Sequence, residues 1–240
     1  MELRTYDKKP KPRTKAKSRT KTKRKSNVSY VRYYDHLTRQ QMDVLGEVAN
    51  ISMGNAATTL SMMLNHPVNI TSPKVETIHR CEALEGYNGV CTFVQIRYVE
   101  GLFGSNVFVL KDDQMLCITD MMMGGDGKVT DGELNDMHMS AASEAMNQMM
   151  GTSATSMSSM LAETVDISTP MLSRIDVDSV KTFDNMFRSP MDIFVRITFH
   201  IVIDDRIDST MIQLYPIQFA VDMCRLFRRK RLDKKAETPQ

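Results

Sequence analysis

Residues 47–73 read EVANISMGNAATTLSMMLNHPVNITSP, and residues 144–170 read EAMNQMMGTSATSMSSMLAETVDISTP. The two segments align without a gap at an offset of 97 residues, and 12 of their 27 positions are identical. The identical pairs are Glu47/Glu144, Asn50/Asn147, Met53/Met150, Gly54/Gly151, Ala57/Ala154, Thr58/Thr155, Ser61/Ser158, Met63/Met160, Leu64/Leu161, Val68/Val165, Ile70/Ile167 and Pro73/Pro170. A repeat of this length predicts a chain built from two similar halves.

Each half is predicted to begin with a long helix. In the first repeat, apolar residues spaced three or four apart trace one helical face from Met42 to Met63. Thr38 and Gln41 form the capping-box pattern that marks a helix start. The second repeat has apolar residues, mostly methionines, at matching places from Met139 to Met160, and we interpret them as core filling rather than as a cofactor site.

The segments that follow each helix are predicted to form strands. The runs rich in β-branched and aromatic residues are 68–78, 90–98 and 107–110 in the first half, and 165–175, 193–203 and 211–214 in the second. Amphipathic segments at 113–123 and 216–227 close the halves, and the polar stretch 124–136 links them. The pattern predicts an α/β fold made of two helix-plus-strands halves.

The composition is that of a soluble globular protein with strongly basic ends. The 240 residues are 42% hydrophobic, and the net charge of +2 divides into +10 for residues 1–28, +5 for residues 225–240 and −13 for the residues between them. We predict disorder for the basic tail 1–28 and a second basic tail at 229–240. Contact of the first tail with nucleic acid or an anionic membrane is not favoured, because its basic run lacks aromatic residues.

No metal site, disulfide or membrane span is predicted. The four cysteines have neither zinc-ligand nor disulfide-framework spacing, so we expect buried free thiols. A calcium loop starting at Asp126 is not favoured, because Lys128 and Thr130 would occupy ligand positions. No segment has the roughly 18 consecutive apolar residues of a membrane span, and the basic start lacks the apolar core of a secretory signal. We therefore expect a cytoplasmic protein.

Polar residues that are identical in the two repeats form a second stripe on each helix. In the first repeat the stripe consists of Glu47, Asn50, Gly54, Thr58 and Ser61, and Asp43 extends it by one turn. Glu47 lies about 200° around the helix from the apolar Leu45, so the stripe is predicted to face solvent. Packing alone gives no reason to keep an acid, an amide and a glycine on an exposed face. We infer that this face makes contacts or carries chemistry, and that the glycine lets another molecule approach the backbone.

This pattern resembles the CheC/FliY family of chemotaxis phosphatases, whose motif is Asp or Ser, then E-x-x-N, then a glycine four residues further on. The matching residues are Asp43, Glu47, Asn50 and Gly54, and again Ser140, Glu144, Asn147 and Gly151. The resemblance covers roughly residues 37–228 of a predicted domain at 29–228, with repeats at about 37–123 and 137–228. It implies a pseudo-twofold CheC-like domain whose motif helices lie on the surface.

The resemblance also implies a substrate, the aspartyl phosphate of the chemotaxis response regulator CheY. Asn50 and Asn147 are then the catalytic amides, and Glu47 and Glu144 pair with the regulator. The residues left for partner contact are Asp43, Gly54, Ser140 and Gly151. The family implies no cofactor on this chain, since the bound regulator supplies Mg²⁺. CheD or flagellar switch proteins are further expected partners, at the flagellar motor or the chemoreceptor array.

Two other functions stay open at this stage. A non-catalytic flagellar switch or adaptor module would use the duplicated surface only to bind CheY or CheD, and the paired E-x-x-N residues argue against it. Alternatively, the basic tail would be the functional element, tethering the domain to nucleic acid or lipid. Direct search finds no serine-hydrolase, zinc-protease or P-loop motif.

Overall fold

A layer of helices covers one face of an eight-stranded sheet in the computed structural model, which describes residues 35–128, 132–178 and 192–236. The helices are α1 (Arg39–Leu64), α2 (Asp112–Met122), α3 (Asp136–Leu161) and α4 (Ile217–Ala236). The strands are β1 (Val68–Ile70), β2 (Lys74–His79), β3 (Val90–Glu100), β4 (Gly104–Lys111), β5 (Asp166–Ile167), β6 (Met171–Asp176), β7 (Ile193–Ile203) and β8 (Ile207–Pro216). A short 3₁₀ helix spans Arg80–Glu82. The predicted tail 1–28 lies outside the described residues.

The two halves exchange strands. The sheet order is β1-β7-β8-β4-β3-β5, with β2 also paired to β7 and β6 also paired to β3, and all these pairings are antiparallel. The first strands of each half therefore pair with the long strand of the other half. The order is unchanged when the halves are interchanged, and the symmetry centre falls at Phe108 opposite Gln213, where β4 meets β8. Neither half completes a sheet alone.

Residues next to each end of the two motif helices fix where these helices begin and end. The Thr38 hydroxyl accepts from the Gln41 amide N–H at 3.3 Å, and the Gln41 side-chain oxygen accepts from the Thr38 N–H at 2.9 Å. The predicted capping box is thus confirmed. Asn135 caps α3 similarly, since its side-chain oxygen accepts from the N–H groups of Met137 and His138, each at 3.0 Å. Both helices have 26 residues and both end at a left-handed residue, Asn65 and Ala162.

Two of the predicted strands are each broken in two. The run 68–78 divides into β1 and β2, and the run 165–175 divides into β5 and β6. The break in each case ends at a proline, Pro73 or Pro170, which cannot donate a hydrogen bond to a neighbouring strand. At the other end of the chain, α4 continues past residue 228, the predicted end of the domain. No described helix is both long and apolar enough to cross a membrane.

Two apolar clusters lie on opposite faces of the sheet, because successive side chains of a strand point to opposite sides. In β3, Val94 and Ile96 join the large core under the helices, whereas Phe93 joins a smaller cluster on the other face. The smaller cluster is covered by the segment around Ala83 and Tyr87. The sheet therefore supports the inner side of the helix layer, and the outer side of that layer is available for the motif residues.

Three of the four cysteines are buried, as predicted, and Cys81 is exposed, which corrects the prediction for that residue. Burial raises the pKa of Cys91 and of Cys117 to about 11, and that of Cys224 to about 12. These three thiols are therefore neutral and inaccessible at neutral pH.

We expect Cys81 alone to react rapidly with a thiol-specific reagent at pH 8. The other three cysteines should react only after unfolding in denaturant, because the thiolate is the nucleophile and their burial disfavours it. Stopped-flow titration with an aromatic disulfide measures the fast phase. The variant Cys81→Ser should lack it, and a fast phase that survives in this variant would show that the core around another cysteine is open.

Candidate functional site

The two motif helices are joined by a symmetric pair of hydrogen bonds. The Asn55 side-chain N–H donates to the Ser156 hydroxyl at 2.8 Å, and the hydroxyls of Thr59 and Thr152 share a hydrogen bond at 2.9 Å. The repeat alignment equates Asn55 with Thr152 and Thr59 with Ser156, so the two bonds are related by the pseudo-twofold axis. This pattern requires α1 and α3 to cross in antiparallel directions.

The predicted site residues lie on the outer face of each helix. Asp43, Glu47, Asn50 and Gly54 are exposed on α1, and Ser140, Glu144 and Asn147 are exposed on α3, with Gly151 half-buried. The apolar residues between them, such as Leu45 and Met146, are buried. Each acid and amide are three residues apart and therefore neighbours on one face.

The structure brings the motif residues together within each helix but not between the helices. Asn50 and Asn147 each precede the crossing of α1 with α3 by seven residues, which is about 10 Å of helix. Because the helices are antiparallel, the two amides lie on opposite sides of the crossing, roughly 20 Å apart. There are thus two separate candidate sites. We call them site one, on α1, and site two, on α3.

The paired glycines have no neighbour that requires a glycine. A Cβ atom added to Gly54 or Gly151 would meet nothing within 4 Å. Their carbonyl groups accept hydrogen bonds from Thr58 and Thr155, at 3.2 and 3.0 Å. These bonds lie along the helix surface and leave the space over each glycine open. The sequence-based inference that another molecule approaches the backbone there is compatible with this geometry.

Ser61 does not belong to the exposed stripe, and its assignment there was wrong. Its hydroxyl donates to the His66 carbonyl at 2.7 Å and accepts from the Val68 N–H at 2.9 Å. Ser158 likewise accepts from the Val165 N–H at 2.9 Å, and its hydroxyl donates to the Val165 carbonyl at 3.2 Å. This serine is identical in the two repeats because it fixes the turn from the helix to the first strand.

The two sites differ in their surroundings. In site two, the Gln148 side chain donates to the Glu144 carboxylate at 2.8 Å. In site one the matching position is Ile51, which is 41% exposed. Ile51 and Glu47 line a cavity of about 900 Å³ between α1 and α4, and Arg225 lies on the α4 side of it. Sequence reasoning missed this cavity because no local pattern shows that α4 packs beside α1.

A metal centre is not evident in the part of the chain that the structure describes. No group of three or more His, Cys, Asp or Glu side chains in these residues is arranged to bind an ion. Each site presents a carboxylate and a neutral amide on an exposed helical surface.

Comparison with known proteins gives a consistent result. The sequence profile of the CheC-like family matches residues 41–76 and 137–174, the two motif helices and the strands that follow them. The chain is 39% identical to the flagellar motor switch phosphatase FliY of Bacillus subtilis over 207 residues, which are 86% of this chain and 54% of that protein. It therefore spans only about half the length of that relative.

Two solved structures have a similar fold. The crystal structure of Thermotoga maritima FliY matches with a TM-score of 0.76 and 37% identity, over 81% of this chain and 98% of that one. The FliM middle domain from H. pylori matches with a TM-score of 0.61 and 13% identity, over 79% of this chain and 99% of that one. At so low an identity, the FliM match shows a shared fold and nothing further.

Proposed function

The chain belongs to the CheC-like family, and from this premise we propose that it is a phosphatase that hydrolyses the aspartyl phosphate of the response regulator CheY. One observation carries the proposal. The Glu-x-x-Asn pair occurs twice at equivalent positions, and all four side chains are exposed on the outer face of the helix layer. A partner protein can reach both pairs without any rearrangement of the core.

The proposed catalytic group at each site is the asparagine amide. An aspartyl phosphate is an activated acyl phosphate, so its hydrolysis mainly requires a water molecule placed in line with the bond to be broken. The side-chain oxygen of Asn50 accepts a hydrogen bond from that water, and its N–H group donates another to the reacting group. A neutral amide does this without repelling the anionic phosphoryl group, as a carboxylate would. Asn147 does the same at site two.

The neighbouring residues position the partner. Glu47 and Glu144 each lie one turn before the amide and pair with the lysine beside the phosphoryl group of the regulator. Asp43 and Ser140, one turn earlier again, extend the contact, and the two motif glycines allow the partner to come close. Mg²⁺ would be held by the carboxylates of the bound regulator and not by this chain, and it would neutralise phosphoryl charge there.

The named relative also suggests where the protein works. Because the B. subtilis protein is a flagellar motor switch phosphatase, we place this chain in the same signalling system, at the flagellar motor. Flagellar switch proteins and CheD are then candidate binding partners in addition to phosphorylated CheY.

A second candidate function is a flagellar switch or adaptor module without catalysis. The observation that favours it is that the B. subtilis relative is named for the flagellar motor switch as well as for a phosphatase. Such a module would bind CheY through the same exposed faces but would not change the lifetime of the phosphoryl group. Binding and hydrolysis must therefore be measured separately.

We expect the purified protein to shorten the lifetime of phosphorylated CheY by at least about tenfold, because a positioned water attacks faster than bulk solvent. Release of ³²P from CheY, phosphorylated with a small-molecule donor in the presence of Mg²⁺, measures this directly. The control is p-nitrophenyl phosphate, which carries no receiver domain and should not be hydrolysed. Tight binding of CheY with an unchanged lifetime would favour the adaptor instead.

A further inference from the structure

The cavity beside site one has an apolar floor and a charged rim. The floor is formed by apolar side chains from α1, from the end of α3 and from α4, namely Val48, Ile51, Met160 and Phe227. The charged lining residues are Asp35 and Glu47 on the α1 side and Arg225 and Arg228 on the α4 side. A cavity of about 900 Å³ directly beside a proposed catalytic residue is large enough to receive several partner side chains.

Helix α4 packs against the start of α1. The buried Cys224 thiol donates to the Gln41 carbonyl at 3.5 Å, and Met223 is buried in the core. Arg225 is exposed and donates to the Asp222 carboxylate at 2.9 Å. Arg228 is exposed one turn further along, so α4 presents a row of guanidinium groups beside site one.

Site two lacks this arrangement. The pseudo-twofold symmetry centred on the Phe108–Gln213 pair relates β4 to β8 by an offset of 105 residues. The same offset places Asp120 at the position of Arg225 and Met123 at that of Arg228. Asp120 is an acid that accepts from the Gly127 N–H at 2.9 Å. In addition α2, the counterpart of α4, already ends at Met122. Among the described residues, the row of guanidinium groups therefore belongs to site one, and at site two Gln148 stands in place of the apolar Ile51.

The expected partner surface is anionic. An acyl phosphate held by Mg²⁺ is surrounded by the carboxylates that bind the ion. Glu47 pairs with the lysine of that surface, whereas Asp35 and Asp43 would repel it, and Arg225 and Arg228 compensate for the charge of these two acids. We propose that the groove between α1 and α4 is a docking surface for the anionic, phosphorylated face of the regulator, and that it makes site one the principal site. This proposal rests on the phosphatase function proposed above.

The test uses two single-site enzymes. Asn147→Ala leaves only site one working, and Asn50→Ala leaves only site two. Into each we introduce Arg225→Asp. This change gives position 225 the acidic side chain that its counterpart, Asp120, has beside site two. In the site-one enzyme, kcat/KM for phosphorylated CheY should fall about tenfold through KM, and the dependence on ionic strength should weaken. In the site-two enzyme, the change should be less than twofold.

Two further variants make the result decisive. Arg97→Asp makes the same change of net charge on the exposed side of β3, and it should change kcat/KM by less than twofold in either enzyme. Arg228→Met, a milder change, should reduce kcat/KM of the site-one enzyme about threefold. If Arg225→Asp does not fold, this variant alone tests the docking surface.

Equal losses in the two single-site enzymes, or no loss in either, would overturn the docking proposal. Failure of the phosphatase function looks different, because the unmodified protein would then not shorten the lifetime of phosphorylated CheY. An active phosphatase that is insensitive to both arginine changes refutes only the docking surface.

Discussion

Replacing both Asn50 and Asn147 by alanine is expected to reduce the acceleration of CheY dephosphorylation by at least about 100-fold, because water is then no longer placed in line with the phosphoryl group. Both side chains are exposed, so their truncation removes no core contact. Alanine is also the better helix former, and the double variant should unfold at the same denaturant concentration as the unmodified protein or a higher one. Phosphate release and urea unfolding measure the two quantities.

The matched control is Asn55→Ala, the same substitution on the same helix. Asn55 donates to Ser156 across the helix crossing, so its loss should lower the free energy of unfolding by about 1 kcal/mol. Its activity should stay within about twofold, because the side chain belongs to the crossing and not to the motif face. If the folded double variant still accelerates dephosphorylation fully, the asparagines are not the catalytic groups.

The parts of the fold set by local chemistry were predictable from the sequence. The capping box at Thr38 and the apolar spacing from Met42 to Met63 require only neighbours along the chain, and α1 has the predicted start and buried face. The offset of 97 residues between the repeats predicted α3 and its buried face equally well, because a duplicated helix keeps the same positions buried. The exposure of Asn50 and Asn147 follows from the same periodicity.

Features that depend on distant parts of the chain were not predictable. Nothing in the runs 68–78 and 165–175 shows that each pairs with the long strand of the opposite half. Without that exchange, the packing of α4 beside α1 and the cavity near Glu47 cannot be inferred. Ser61 shows a related limit, since its side chain bonds beyond the helix end and periodicity alone cannot separate such a residue from a surface one.

We expect Gly54→Ala and Gly151→Ala to stabilise the protein and to impair its activity. Alanine at a helical, unobstructed position should raise the free energy of unfolding by roughly 0.5–1 kcal/mol at each site. The same methyl group would stand where the partner backbone or side chains approach the helix. Steric overlap of this kind costs about 1–3 kcal/mol, so kcat/KM of the double variant should fall about tenfold or more. Urea unfolding and ³²P release from phosphorylated CheY test both expectations on one sample.

Gly101→Ala separates this effect from an ordinary loss of stability. Gly101 has a φ of 71°, and a Cβ there would stand 2.1 Å from the Thr164 carbonyl oxygen. This variant should lose about 2–4 kcal/mol of stability, while its remaining folded fraction stays fully active. Alanine at the two motif glycines should instead raise stability and lower activity, because a glycine is needed there for the approach of a partner and not for the fold. Full activity of the stabilised Gly54→Ala/Gly151→Ala protein would mean that no partner comes close to the helix backbone, and the docking geometry proposed for both sites would then be wrong.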